Sequence, residues 1–198
     1  SDNLNITAGL FLYESNIMNN DNRELYGDRF GNTGVYIWQT GGGTHTVDQT
    51  SLFTTFDYAV NDKLELTAGV RFTSEDKSVN LVSLNLNQTG VSPTPGCSVD
   101  GSIQPLCVPD YVDNDTWNTT SPKIGFNYKD SDSSMVYGYW ARGYRSGGYN
   151  MRNSADLAVF PAAAPKSDGE TTTTLEFGYK KQFEKGKVNY AIFKTDVQ

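Results

Sequence analysis

Histidine is almost missing from this chain: His45 is the only one in 198 residues. Cysteine is limited to Cys97 and Cys107. A zinc site on the cysteine pair would need further ligands, and with one imidazole in the chain zinc is not expected. In a thiol-poor chain, a cysteine pair flanking the Pro- and Gly-containing segment PTPGCSVDGSIQPLC reads as a staple across a loop, so a disulfide is expected. Closing so short a loop is worth about 2.5–3 kcal/mol in the chain-entropy account. Two free thiols in a reducing compartment are the alternative. Basic residues are also in deficit, with 16 Lys and Arg against 23 Asp and Glu, a net charge of −7. A nucleic-acid partner is therefore not expected, because phosphate binding needs a positive surface. No run approaches the roughly 18 apolar residues of a membrane-crossing helix.

What the chain does contain is glycine and aromatic residues. There are 19 Gly, 12 Tyr and 10 Phe, together with many threonines, a profile that favours strands over helices. Period-two alternation predicts seven strands, near 4–14, 51–60, 63–76, 119–129, 134–146, 171–183 and 187–197. In KLELTAGVRF, Leu64, Leu66, Ala68, Val70 and Phe72 share one face, while Glu65, Thr67, Gly69, Arg71 and Thr73 share the other. LNITAGLFL, SPKIGFNYK and TLEFGYKK repeat the scheme. No segment has a convincing helical period, and the chain reads as all-β.

Tight links at Asn61–Asp62, Asp130–Ser133 and Glu184–Gly186 alternate with long polar segments near 15–50, 77–118 and 147–170. A compact soluble domain seldom carries several loops beyond about 12–15 residues. An outer-membrane barrel does, with short periplasmic turns and long extracellular loops, and strands of about 9–11 residues suit a tilted bilayer crossing. The expected fold is thus a segment of an antiparallel transmembrane β-barrel of about seven long strands. A soluble β-sandwich would show the same alternation and is the competing architecture. On the barrel reading the apolar rows meet lipid. Tyr58, Phe72, Tyr128 and Tyr179 then form interfacial girdles, and Glu65, Arg71, Glu176 and Lys180 face the lumen. Seven strands do not close such a barrel, and a strand that stops without a turn at Gln198 suggests an interior piece of a longer protein.

Four stretches carry a resemblance: LNITAGLFLYES, DYAVNDKLELTAGVRFTSEDKSV, SPKIGFNYKDSDSSMVYGYWARGYRSGGYN and ETTTTLEFGYKKQFEKGKVNYAIFKTD. In their residues and order they resemble the β-barrel of TonB-dependent outer-membrane receptors. The segment from Arg142 to Asn150 is the most specific of them. The resemblance implies one barrel domain over 1–198 whose N-terminal plug and TonB box are absent from this stretch. It implies import of a scarce nutrient such as a ferric siderophore, energised through TonB, in the outer membrane of a Gram-negative bacterium. Its partners would be outer-membrane lipid and lipopolysaccharide, the missing plug, the TonB complex and a small-molecule ligand. No cofactor and no enzymatic activity are expected. A passive porin or small structural barrel, and a secreted glycan-binding β-sandwich, are the alternative functions.

Among individual residues, Ser74-x-x-Lys77 has the spacing of a penicillin-binding nucleophile, but that chemistry needs a helix start, and this pair is expected at a frayed strand end. Asn19 to Asp21 and Asp113 to Asp115 read as polar loops without the calcium-loop pattern. His45, after the Gly41–Gly43 triplet, reads as an exposed loop histidine. Arg142 and Arg145 differ by an odd number and so point to opposite faces of one strand. Arg145 and Arg152, with Trp117 and Tyr149, are the candidate contacts for an anionic ligand at the outer mouth. Pairing of the arginines with lipopolysaccharide phosphates or with loop acids is the alternative.

Overall fold

The computed structural model describes residues 3–25, 37–86, 111–151 and 166–198. The strands are β1 (Leu4–Leu25), β2 (Ile37–Ala59), β3 (Leu64–Leu86), β4 (Tyr111–Ser131), β5 (Ser134–Arg145), β6 (Gly148–Tyr149), β7 (Lys166–Ser167), β8 (Glu170–Phe183) and β9 (Gly186–Val197). Seven form a single sheet in the order β1-β2-β3-β4-β5-β8-β9, and every neighbouring pair is antiparallel. β6 and β7 pair separately as a small two-stranded flap. The sheet is an open segment of barrel wall.

The predicted alternation fixes the register. Ile6, Phe56, Ala68, Ile124, Trp140 and Leu175 are successive direct partners, so one apolar row crosses six strands on a single face. A one-residue slip on any strand would move its apolar side chains to the polar side. This face is bare: Leu10 is 64% exposed, Leu12 68% and Ile192 75%. Apolar side chains without a protein partner across a whole face suit lipid as the solvent. Tyr128 and Tyr179 lie in one row with Tyr190, and Tyr58 and Phe72 share their face, as the girdle assignment requires.

The tight links are where expected. Asn61 closes the first by accepting the backbone N–H groups of Lys63 and Leu64 on its Oδ1, at 2.9 and 3.0 Å. In the second, the Ser134 hydroxyl donates to Asp130 at 3.2 Å beside a register shift between Lys129 and Ser131.

The far edge differs from expectation. Most of 15–25, 37–50, 77–86 and 111–118 is strand, so β1 to β4 are 22, 23, 23 and 21 residues long. At about 3.3 Å per residue, a 22-residue strand runs roughly 70 Å, well beyond a bilayer core of about 30 Å. Outside lipid neither face must be apolar, and the interstrand ladder alone holds the chain extended. Asn19 to Asp21 therefore lie on β1, Asp113 to Asp115 on β4 and His45 on β2. Ser74 and Lys77 sit in the middle of β3. β5, β8 and β9 stop at 12, 14 and 12 residues, giving the wall a tall half and a low half.

β4 pairs with β5 only as far as Lys123–Ala141, whereas β5 continues along β8 to Arg145–Glu170. Past that parting the chain leaves the wall, and the β6–β7 flap lies against the polar face of the tall strands. The buried hydrophobic side chains among the described residues are Val47, Val79, Leu81 and Trp117, all at the outer end of that face.

Candidate functional site

All four residues expected in the lumen, Glu65, Arg71, Glu176 and Lys180, lie on the polar face, opposite the apolar rows. Each is tied to a neighbouring strand. Glu65 accepts the Asn127 amide at 2.9 Å. Arg71 donates to Ser51 at 3.0 Å and to Thr73 at 3.2 Å, and its guanidinium lies 5.3 Å from the Phe11 ring centre. Ser51 beneath it is fully buried. Glu176 accepts the hydroxyls of Tyr137 and Tyr139 at 2.7 and 2.9 Å. Lys180 and Lys123 stand 4.8 and 5.3 Å over those two rings. Gly178 makes this possible: a Cβ there would lie 2.3 Å from the Tyr137 ring, which leans across the bare backbone towards Glu176.

Beyond the apolar band the polar face carries a second constellation. Cross-strand pairing sets Gln49, Glu75 and Trp117 in one row. Val47, Lys77 and Asp115 follow, then His45, Val79 and Asp113, then Gly43, Leu81 and Tyr111. Tyr149 of the flap covers the centre of this grid. Its ring lies 6.1 Å from His45, 6.3 Å from Tyr111 and 6.0 Å from Trp117, and its hydroxyl donates to Asp113 at 3.1 Å. In the register Val79 lies between His45 and Asp113, one row from Tyr111, and it is only 2% exposed.

Lys166, also from the flap, reaches Asp115 at 2.5 Å and Asp113 at 3.7 Å. Lys77 rises from β3 to meet the flap from below. Its ammonium bonds Glu75 at 2.9 Å, the Ser146 hydroxyl at 2.8 Å and the Gly147 carbonyl at 2.7 Å, and stands 5.4 Å over Trp117. Gly147 is required at this contact, because a Cβ would meet the Ser167 carbonyl at 2.3 Å and the Trp117 indole nitrogen at 2.5 Å.

The electrostatics follow from these contacts. Partial burial alone would raise the Asp113 carboxyl. Hydrogen bonds from Tyr111, Tyr149 and the Asn114 N–H, with the charge of Lys166, outweigh it and hold the group below the usual range. The hydrogen bond from Lys166 lowers Asp115, and the same bond raises Lys166. Burial and then Asp113 push the Tyr149 phenol up. Burial lowers His45, aided by Lys77 and opposed by Glu75, and its Nε2 is buried without a hydrogen-bond partner.

Of the expected ligand contacts, Trp117 and Tyr149 are brought together. Arg145 is not with them: it stands 83% exposed at the end of β5, 3.8 Å from Glu170. It shares the polar face while Arg142 lies on the other, as their spacing required. Arg152, Cys97 and Cys107 fall outside the described residues. Tyr111 and Lys166 were not singled out, and His45, Lys77, Asp113 and Asp115 read as loop or strand-end residues, not as members of a site. One signal was available, since Tyr111, Asp113, Asp115 and Trp117 alternate with period two inside a stretch read as loop. Among the described residues, no group of three or more His, Cys, Asp or Glu is placed to hold a metal ion.

The fold is shared with a known receptor. The ferric yersiniabactin uptake receptor FyuA from Yersinia pestis aligns over 100% of this chain and 26% of its own, with a TM-score of 0.68 and 17% identity. The alcaligin outer-membrane receptor FauA from Bordetella pertussis aligns over 99% of this chain and 31% of its own, with a TM-score of 0.47 and 13% identity. The chain thus spans about a quarter to a third of the length of these receptors. The family model for the TonB-dependent receptor-like β-barrel matches residues 2–198, and the chain belongs to that family.

Proposed function

We propose that this chain forms part of the wall of an outer-membrane receptor that binds a scarce nutrient, of the ferric siderophore class, and imports it with energy supplied through TonB. In this reading residues 1–198 belong to one barrel domain. The plug and the TonB box belong to the remainder of the parent protein. The observation that carries it is the two-faced wall: continuous apolar rows on one side and cross-strand polar networks on the other. FyuA, which has this fold, is a ferric yersiniabactin uptake receptor. The polar face is the lumen, so Glu65, Arg71, Glu176 and Lys180 line the path and brace the plug. The edge with tight turns is periplasmic and the tall edge extracellular. Trp117 and Tyr149 stand at the outer mouth, and Arg145 with Arg152 offers guanidinium groups to an anionic ligand.

The test is uptake of ferric siderophores by cells producing the parent protein under iron limitation, with and without dissipation of the proton-motive force. Saturable uptake that collapses with the force supports the reading. Uptake that persists without it identifies a passive porin instead. Unchanged ligand affinity after Arg145→Ala and Arg152→Ala would remove the arginines from the ligand contact.

A further inference from the structure

We propose that Lys77 is a positioning residue that clamps the β6–β7 flap inward across the outer mouth, so that the flap, and not bare wall, lines the path there. The inference rests on the polar face being the lumen.

An ammonium group has three N–H donors and no acceptor. In Lys77 all three have a partner: Glu75 on its own strand, and Ser146 and the Gly147 carbonyl at the base of the flap. Two of the three bonds therefore cross from wall to flap. The Lys77 and Glu75 side chains are 11% and 14% exposed, so the ion pair is nearly out of water, where a lost partner is not readily replaced by solvent. Trp117 supports the ammonium from one side through its ring. The same indole lies under Gly147, whose missing side chain allows the flap backbone to rest on it. Farther out, the flap is held by Lys166 on Asp115 and Asp113 and by the Tyr149 hydroxyl on Asp113. Those outer attachments act on the Tyr149–Lys166 pair. Lys77 acts where the chain leaves β5, and it sets the angle at which the flap departs.

Val79 serves as the reporter of flap position because it lies between His45 and Asp113, both of which Tyr149 contacts. The experiment uses the full receptor on intact cells, with Cys97 and Cys107 replaced by serine and Val79→Cys as the probe. The reagent is a membrane-impermeant maleimide. With Lys77 present the thiol should label slowly. Lys77→Ala should accelerate labelling at least tenfold, Ser146→Ala less so, and Lys77→Arg should restore slow labelling. Glu75→Gln with Lys77→Met removes the clamp without leaving a lone buried carboxylate, and should behave like Lys77→Ala. Heat-modifiable migration of each variant on gels reads barrel integrity. Labelling that is equally slow in Lys77→Ala and in the double variant, with the barrel intact, overturns the clamp. Labelling that is equally fast in the parent overturns the inward flap. The lumen reading has its own control in the full receptor in lipid nanodiscs: a spin label at Phe72→Cys should meet oxygen dissolved in the lipid, and one at Arg71→Cys should not. The reverse pattern sinks that reading whatever Val79→Cys shows.

Discussion

Removing two methyl groups from Val79 should loosen the flap and leave the barrel in place. Val79 is 2% exposed and sits between His45 and Asp113, the pair that Tyr149 of the flap contacts from far along the sequence. Two buried methyls at about 0.8 kcal/mol each come to roughly 1.6 kcal/mol of lost transfer energy. The space left adds a cavity contribution, bringing the cost of Val79→Ala to about 2 kcal/mol. If the flap opens as a local unit, that cost falls on its docking equilibrium. At about 1.4 kcal/mol per tenfold, amides of β6 and β7 should exchange with solvent roughly 30-fold faster. Hydrogen exchange with mass spectrometry on the full receptor in lipid nanodiscs measures this directly. Phe72→Ala is the control: Phe72 is 51% exposed on the opposite face, and its loss should leave the flap amides unchanged. Flap protection that is identical in Val79→Ala and parent, or already absent in the parent, would refute the docking argument.

Other perturbations test other contacts. Arg71→Leu removes two donors from the buried Ser51–Thr73 pair, which keeps its own 3.0 Å bond, so urea unfolding of the receptor should show a loss of about 1–2 kcal/mol. Arg71→Lys should recover only part of it, because an ammonium cannot span both hydroxyls in the same fork. Gly147→Ala forces a Cβ against the Ser167 carbonyl and Trp117, and should displace the flap at a cost of about 1–3 kcal/mol, visible as a red shift and quenching of the Trp117 emission against a background lacking the other tryptophans. Acid should loosen the flap in two steps. His45 has a lowered pKa in the fold, so its contribution is complete above the ordinary imidazole value of about 6.5 and is lost as pH falls below it. Asp113 and Asp115 are also lowered, so their contribution persists to about pH 3.9 and disappears below. His45→Phe should abolish the first step and keep the second, as read by flap proteolysis across that range.

The membrane part of this wall was legible because lipid enforces a rule. Every second residue of KLELTAGVRF must be apolar where it meets hydrocarbon, so the faces of Arg71 and Glu65 follow from counting. Beyond the lipid that rule lapses. The outer halves of β1 to β4 are rich in Asn, Asp, Gly and Thr, with apolar residues such as Val47, Val79 and Leu81 scattered among them, and they look like loop. Trp117 and Tyr149 stood out because aromatic residues are conspicuous in polar sequence. Lys77 did not, since nothing local distinguishes a lysine that will bond Ser146 across the fold from one that points into solvent. The Tyr111-x-Asp113-x-Asp115-x-Trp117 alternation was the one readable trace of the outer grid. The partnership with the flap depends on where β5 parts from β4, and a strand's own sequence does not encode that. For the same reason the sequence alone does not show that Arg145, at the end of β5, stands beside Glu170.

The plain order of the sheet has a consequence for assembly and descent. Among the described residues, each strand of the main sheet pairs only with the strands before and after it in the chain, with the flap interposed between β5 and β8. No strand must wait for a distant partner or be threaded between two others already paired. The ladder can close from each tight turn outwards, which keeps the loops that must be closed short. A hairpin is then the natural unit of insertion into a membrane, and also of gene duplication or loss. Two strands can be gained or lost together while every remaining strand keeps its direction and its lipid-facing side.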